Sequence, residues 1–153
     1  MFSQKRKIFN VILKIFGVIS VIGAIIVAVY SVIQLSNDIS DITALEAITS
    51  VNGIDVTEIK NAVITYMILI ISASLCCIVG GIFSFIQKNK VITIVFSIIS
   101  CLLTFISESF YYATDTNPVD IVPALITFSV IMILLSIFSA SKNKAESKIK
   151  TIC

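Results

Sequence analysis

The sequence predicts an all-α membrane protein, a four-transmembrane-helix bundle with both termini cytoplasmic. Three observations carry that prediction. The chain has 153 residues, 58% of them hydrophobic, with a mean hydropathy of +1.08; a soluble domain averages about 45–50% apolar residues. The excess lies in four runs long enough to cross the hydrocarbon core, which takes roughly 20 helical residues. Charge is sorted between the gaps. Lys5, Arg6, Lys7 and Lys14 precede or begin the first run, Lys88 and Lys90 separate the second from the third, and Lys142, Lys144, Lys148 and Lys150 follow the fourth. Of the eleven basic residues only Lys60 lies elsewhere. The acids do the reverse: Asp38, Asp41, Glu46, Asp55 and Glu58 fill the gap after the first run, and Glu108, Asp115 and Asp120 that before the fourth, leaving only Glu146 among the cations. Loops rich in Lys and Arg stay in the cytoplasm, which sets the orientation.

Each element follows in turn. The first span covers about 9–33. Its basic start followed by apolar residues has the layout of a signal peptide. The nearly unbroken stretch Ile15 to Ile33 exceeds the apolar core of such a peptide, about 7–15 residues, so an uncleaved span is expected. Lys14 sits near the inner end, where its stem can lie along the helix and its ammonium can reach the headgroups. The outer loop 34–60 is polar, with Ile42, Leu45, Ile48 and Val51 recurring every three residues. With Asp41 placed to cap and Asn52-Gly53 to stop it, a short interfacial helix is expected there. Asp55 and Glu58 have the spacing of a capping box opening the second span, about 61–86. Gln87-Lys88-Asn89-Lys90 makes a tight inner turn into the third span, about 91–112. Asp120 can cap the fourth, about 120–140, with Pro123 in its first turn, where a missing N–H costs little. Residues 1–140 thus read as one transmembrane domain, and 141–153 as a basic cytoplasmic tail without order. Tyr30, Tyr66, Tyr111 and Tyr112 all fall at outer ends of spans, where an amphipathic ring prefers to sit.

The one pattern that could carry chemistry is on the third span. Thr93, Ser97, Ser100, Thr104 and Ser107 are spaced 4, 3, 4, 3, which keeps them on one seam of a left-handed helix pair, and Glu108 extends the seam outward. Two readings follow: a polar path in which hydroxyls replace water around a small solute, or a packing seam in which small hydroxyl residues allow close approach. Packing is favoured because the other spans carry matching small-residue ridges. Ser72, Cys76, Gly80 and Ser84 repeat every four residues on the second span, beside Ala73, Cys77 and Gly81. Gly17, Ser20, Ala24, Ala28 and Ser31 form a similar stripe on the first, and Ser129, Ser136 and Ser139 lie on the fourth. Val11-Ile12, Phe16, Ile19 and Ser20 also match Val91-Ile92, Phe96, Ile99 and Ser100 at one offset, although a chain this rich in Ile, Val and Ser produces such matches by chance more readily than by duplication.

Enzymatic classes find little support. Histidine is absent, which removes Ser/His and Cys/His nucleophile pairs and imidazole metal ligands. Cys76 and Cys77 are adjacent, so their side chains diverge on a helix and suit neither a redox nor a metal site. Glu108 could act as a catalytic acid only with Asp115 or Asp120 beside it. No cofactor is expected, and the basic tails suit anionic lipids at the cytoplasmic face better than nucleic acid.

In outline, inner termini with a larger first outer loop resemble the claudin-type tetraspan plan, but that loop lacks the Trp and the two Cys that mark claudins. The first span also departs from small multidrug exporters, which carry a deep Glu there. The opening Lys14-Ile-Phe-Gly-Val-Ile-Ser-Val-Ile-Gly-Ala resembles small bacterial four-pass membrane proteins of unknown function. That resemblance covers the span pattern, implies the plasma membrane of a prokaryote, and implies no activity. The expectation is a multi-pass membrane protein without enzymatic activity, acting as an accessory or oligomer-forming protein with a membrane-protein partner or a second copy. The alternative is a channel or transporter subunit using the stripe of the third span.

Overall fold

The small-residue stripes of the spans become the packing of the bundle. The computed structural model describes residues 2–49, 57–87, 89–112 and 122–150, with side chains at 7–44, 46, 57–87, 89–109 and 122–139. They form α1 (Phe2–Thr49), α2 (Thr57–Ile86), α3 (Lys90–Tyr112) and α4 (Pro123–Lys150). Consecutive helices pack against each other, α4 closes against α1, and α2 touches α4 across the middle, while α1 and α3 stay apart. Buried positions advance in steps of four and three: Leu13, Gly17, Ser20, Ala24, Val27 and Ser31 on α1, and Val122 just ahead of α4 with Leu125, Ser129, Met132, Ser136 and Ser139 on it. That is the seam of a left-handed four-helix bundle.

The bundle is apolar outside and rich in small polar residues inside. Ile22, Leu75, Leu102 and Phe105 are each more than half exposed, while a dozen Ser and Thr side chains are buried. Water would penalise such an exterior, whereas lipid tails do not. Three helices are long and apolar enough to cross a membrane, and a shorter apolar helix, Pro123–Ser139, packs beside them. The chain is a multi-pass integral membrane protein built from four packed helices.

Two elements extend beyond their expected ends. α1 does not stop near Ile33. Its 48 residues span about 72 Å at 1.5 Å per residue, far more than the roughly 30 Å of hydrocarbon. No Gly or Pro interrupts residues 34–49, and the seam continues through Leu35 to Ile39 and Ile42, which pack on the bundle core. Asp41 therefore lies in mid-helix and not at a cap, and Ile42 faces protein where an interfacial helix would have turned it to lipid. Leu45, Ile48, Val51, Asn52-Gly53 and Asp55 lie outside the described side chains. α4 likewise runs past Ala140 to Lys150, where order was not expected: its Ala, Lys and Glu are good helix formers and nothing breaks the run.

The α2–α3 turn closes without glycine. Gln87 has a φ of 56°, and its N–H donates to the Phe83 carbonyl at 3.0 Å, the single bond of a left-handed C-cap. Asn89 Oδ1 accepts from the Val91 N–H at 3.2 Å and opens α3 as an N-cap.

Candidate functional site

The stripe on α3 faces inward along its whole length. Thr93, Ser97, Ser100, Thr104 and Ser107 are each 1% exposed or less. Ser100 Oγ donates to the Ala73 carbonyl of α2 at 2.9 Å. Thr104 and Ser107 donate within α3, to the carbonyls of Ser100 at 2.8 Å and Thr104 at 2.7 Å. Hydroxyls returned to their own helix carbonyls are a common resolution for Ser and Thr away from water. Ser97 Oγ packs against α2 where Gly80 has no side chain, since a Cβ there would stand 3.3 Å from it.

One layer joins all four helices. The Cys77 thiol points at the Ser20 carbonyl of α1, with Sγ 4.0 Å from the oxygen, and it lies near the side-chain hydroxyls of Ser100 on α3 and Ser129 on α4. A thiol is a weak partner, and Ser20 Oγ and Ser129 Oγ make no hydrogen bond of full geometry. Ser31, Ser74 and Ser136 are buried in the same condition. None of these five hydroxyls belongs to the α3 stripe. Their burial costs about 1–3 kcal/mol each if nothing answers them.

The proposed packing residues of α2 divide. Gly80 and Ser84 are buried, whereas Ser72 and Cys76 are only half-buried, and Ser72 Oγ donates to its own helix at the Ile68 carbonyl, 2.8 Å away. The buried ridge instead follows Ala73, Cys77, Gly81 and Ser84. Against α1 it closes to backbone contact: a Cβ on Gly81 would lie 2.7 Å from the Gly17 carbonyl oxygen, and one on Gly17 the same distance from that of Gly81.

Polar side chains tie the two ends of the bundle. At the basic end, Ser84 Oγ donates to the Leu13 carbonyl at 2.9 Å, and Gln87 Nε2 donates to the Asn10 carbonyl. Ser139 Oγ donates to Asn10 Oδ1 at 2.9 Å, and Lys90 Nζ reaches both the Ser139 carbonyl at 3.3 Å and its hydroxyl. This cluster spans all four helices and was not visible as one in the sequence. Its signal was two amides, Asn10 and Gln87, at the edges of apolar runs. At the acidic end, Tyr66 Oη donates to Glu108 Oε1 at 3.4 Å, and Lys60 pairs with Glu46 at 3.4 Å. Tyr66 is 1% exposed and thus serves the interior of the bundle, unlike Tyr30, which is half exposed. Asp115 and Asp120, the acids that could have joined Glu108, lie outside the described residues.

Among the described residues no group of three His, Cys, Asp or Glu side chains comes together to hold a metal. The chain matches no family model, no curated protein and no solved structure.

Proposed function

We propose that this is a non-enzymatic membrane protein that works as an accessory or oligomer-forming component, with its hydroxyl seam holding the helices together. One observation carries the reading: the whole α3 stripe is buried between helices, and Ser100, Thr104 and Ser107 donate to backbone carbonyls of α2 and α3. Groups so placed are engaged in packing, and each cross-helix bond contributes about 0.6 kcal/mol. The surfaces left for a partner are the apolar lipid-facing sides and the part of α1 that extends past the hydrocarbon, where Ser36, Asn37 and Asp41 are exposed. The termini are placed in the cytoplasm. The sorted charges support this, since Lys7, Lys14 and Lys90 gather at one end of the bundle and Asp38, Asp41, Glu46, Glu58 and Glu108 at the other, Lys60 and Glu146 being the exceptions. The membrane is taken to be the plasma membrane of a prokaryote.

A second reading, a channel or transporter subunit, is favoured by the five buried hydroxyls without partners. They lie on α1, α2 and α4, and water entering the bundle would answer them. Reconstitution decides between the two. Proteoliposomes assayed for K+, Na+, proton and glycerol flux should leak no faster than protein-free vesicles. Flux above that background which disappears in Ser97→Leu would replace the accessory reading with the conducting one.

A further inference from the structure

The lipid-facing surface of the described residues holds a shaped apolar groove. Where α1 crosses α2, Gly17 and Gly81 floor a groove of about 230 Å³ with walls of Val18, Val21, Ile82 and Phe85, apolar throughout. The glycines create it: with no side chain on either helix, the surface dips where neighbouring positions carry branched aliphatics. Phe85 closes one end, and Lys14 Nζ stands over its ring, 6.0 Å from the centroid. Lys14, Val18 and Ile22 follow at intervals of four, so the cation and the groove share one stripe of α1. From Lys14 to Ile22 is about 12 Å along the helix. Lys7, also exposed, lies two turns below on the same side.

We propose that this groove is a binding site for an anionic phospholipid, one acyl chain lying over Gly17 and Gly81 and the headgroup phosphate held by Lys14. Charge selects that occupant. Lys14 is exposed at the edge of an apolar face, and the ion pair among the described residues, Lys60 with Glu46, is at the opposite end. Among the described side chains a second copy in the same orientation offers no acid to neutralise Lys14, because Asp38, Asp41, Glu46, Glu58 and Glu108 all lie at that far end; Glu146, the one acid in the basic tail, is outside them. A lipid phosphate arrives at the right depth with an acyl chain already attached. The cation over Phe85 holds the ammonium against the groove mouth instead of leaving it free to sweep the headgroup layer. This site goes beyond the accessory role and stands whether or not the protein conducts.

The absence of native tryptophan gives a clean reporter. Val18→Trp, with Ile22→Trp as a second position, places one fluorophore in the groove, and Leu102→Trp places one on the lipid face of α3 as reference. Each protein is reconstituted in phosphatidylcholine containing either phosphatidylglycerol or phosphatidylcholine with brominated acyl chains, and quenching is compared at equal mole fraction. The brominated anionic lipid should occupy the groove about fivefold more strongly than the zwitterionic one, the effect of one cation near a membrane surface. Leu102→Trp should show no such preference. Lys14→Gln should abolish it and Lys14→Arg should keep it. Equal quenching by both lipids at positions 18 and 22, the same preference at position 102, or a preference that survives Lys14→Gln would each overturn the site.

Discussion

α2 presents two different interfaces from one helix. Toward α1 it is joined by backbone: Gly17 and Gly81 place each other's carbonyl oxygens where a Cβ would have to go, 2.7 Å away in both directions. Toward α3 it is joined by hydroxyls: Ser100 donates to the Ala73 carbonyl, and Ser97 fills the space over Gly80. The two faces use the same spacing of small residues and differ in what can yield. A carbonyl oxygen fixed in a helix cannot move without shifting the helix, whereas a serine hydroxyl turns about one bond. Direct backbone contact at Gly17 and Gly81 makes the first interface rigid, although Ser84 also donates to the Leu13 carbonyl across it, and rotatable hydroxyls make the second adjustable.

Substitutions should separate the two faces in that order. Gly17→Ala and Gly81→Ala should be the most damaging, each lowering stability by about 1–3 kcal/mol, the range for overpacking a filled interior. Reversible unfolding in mixed micelles would measure the loss, and a cost no greater than that of Gly80→Ala would break the distinction. Gly80→Ala should cost less than 1 kcal/mol, because the atom it meets is the Ser97 hydroxyl at 3.3 Å, which can turn aside. Ser100→Ala should remove about 0.6 kcal/mol with its cross-helix bond. Smallest of all, Ser20→Ala and Ser129→Ala should be neutral or slightly stabilising, since neither hydroxyl has a full partner; replacing a buried polar group that makes no bond removes a cost. A clear loss at both would show that water or a ligand answers these groups, which would favour the conducting reading.

Much of this architecture was legible in the sequence because lipid imposes strong rules. Backbone groups must be satisfied within each span, which leaves helices, and apolar runs report their length. The seam of α3 was readable because five hydroxyl residues in steps of four and three stand out against Ile and Val. The α2 ridge was half readable. Two small-residue rows run side by side on that helix, and spacing alone could not choose between the row through Ser72 and Cys76 and the row through Ala73, Cys77 and Gly81. The choice depends on how α2 is rotated between two neighbours, a tertiary quantity. The extensions of α1 and α4 were missed for a related reason: polar residues after an apolar run read as loop or tail, yet helix continues where nothing breaks it. The four-helix layer at Cys77 was hidden because cysteine in a span resembles any small apolar residue until Ser20, Ser100 and Ser129 are brought around it. The cluster of Asn10, Gln87, Lys90 and Ser139 unites residues up to 129 positions apart, which no local pattern reports.

Whether the hydroxyl seam is a joint or a passage is tested most directly by access to water. Ser97→Cys and Ser100→Cys, each in a chain whose four native cysteines are replaced, are exposed in intact membranes to a membrane-impermeant thiol reagent. Ser36→Cys, on the exposed part of α1, serves as the labelled reference. A packing seam predicts rapid modification at position 36 and none at 97 or 100 until the protein is unfolded. Modification of both buried positions in the folded protein, at rates approaching that of the reference, would contradict it and make the stripe a water-filled path.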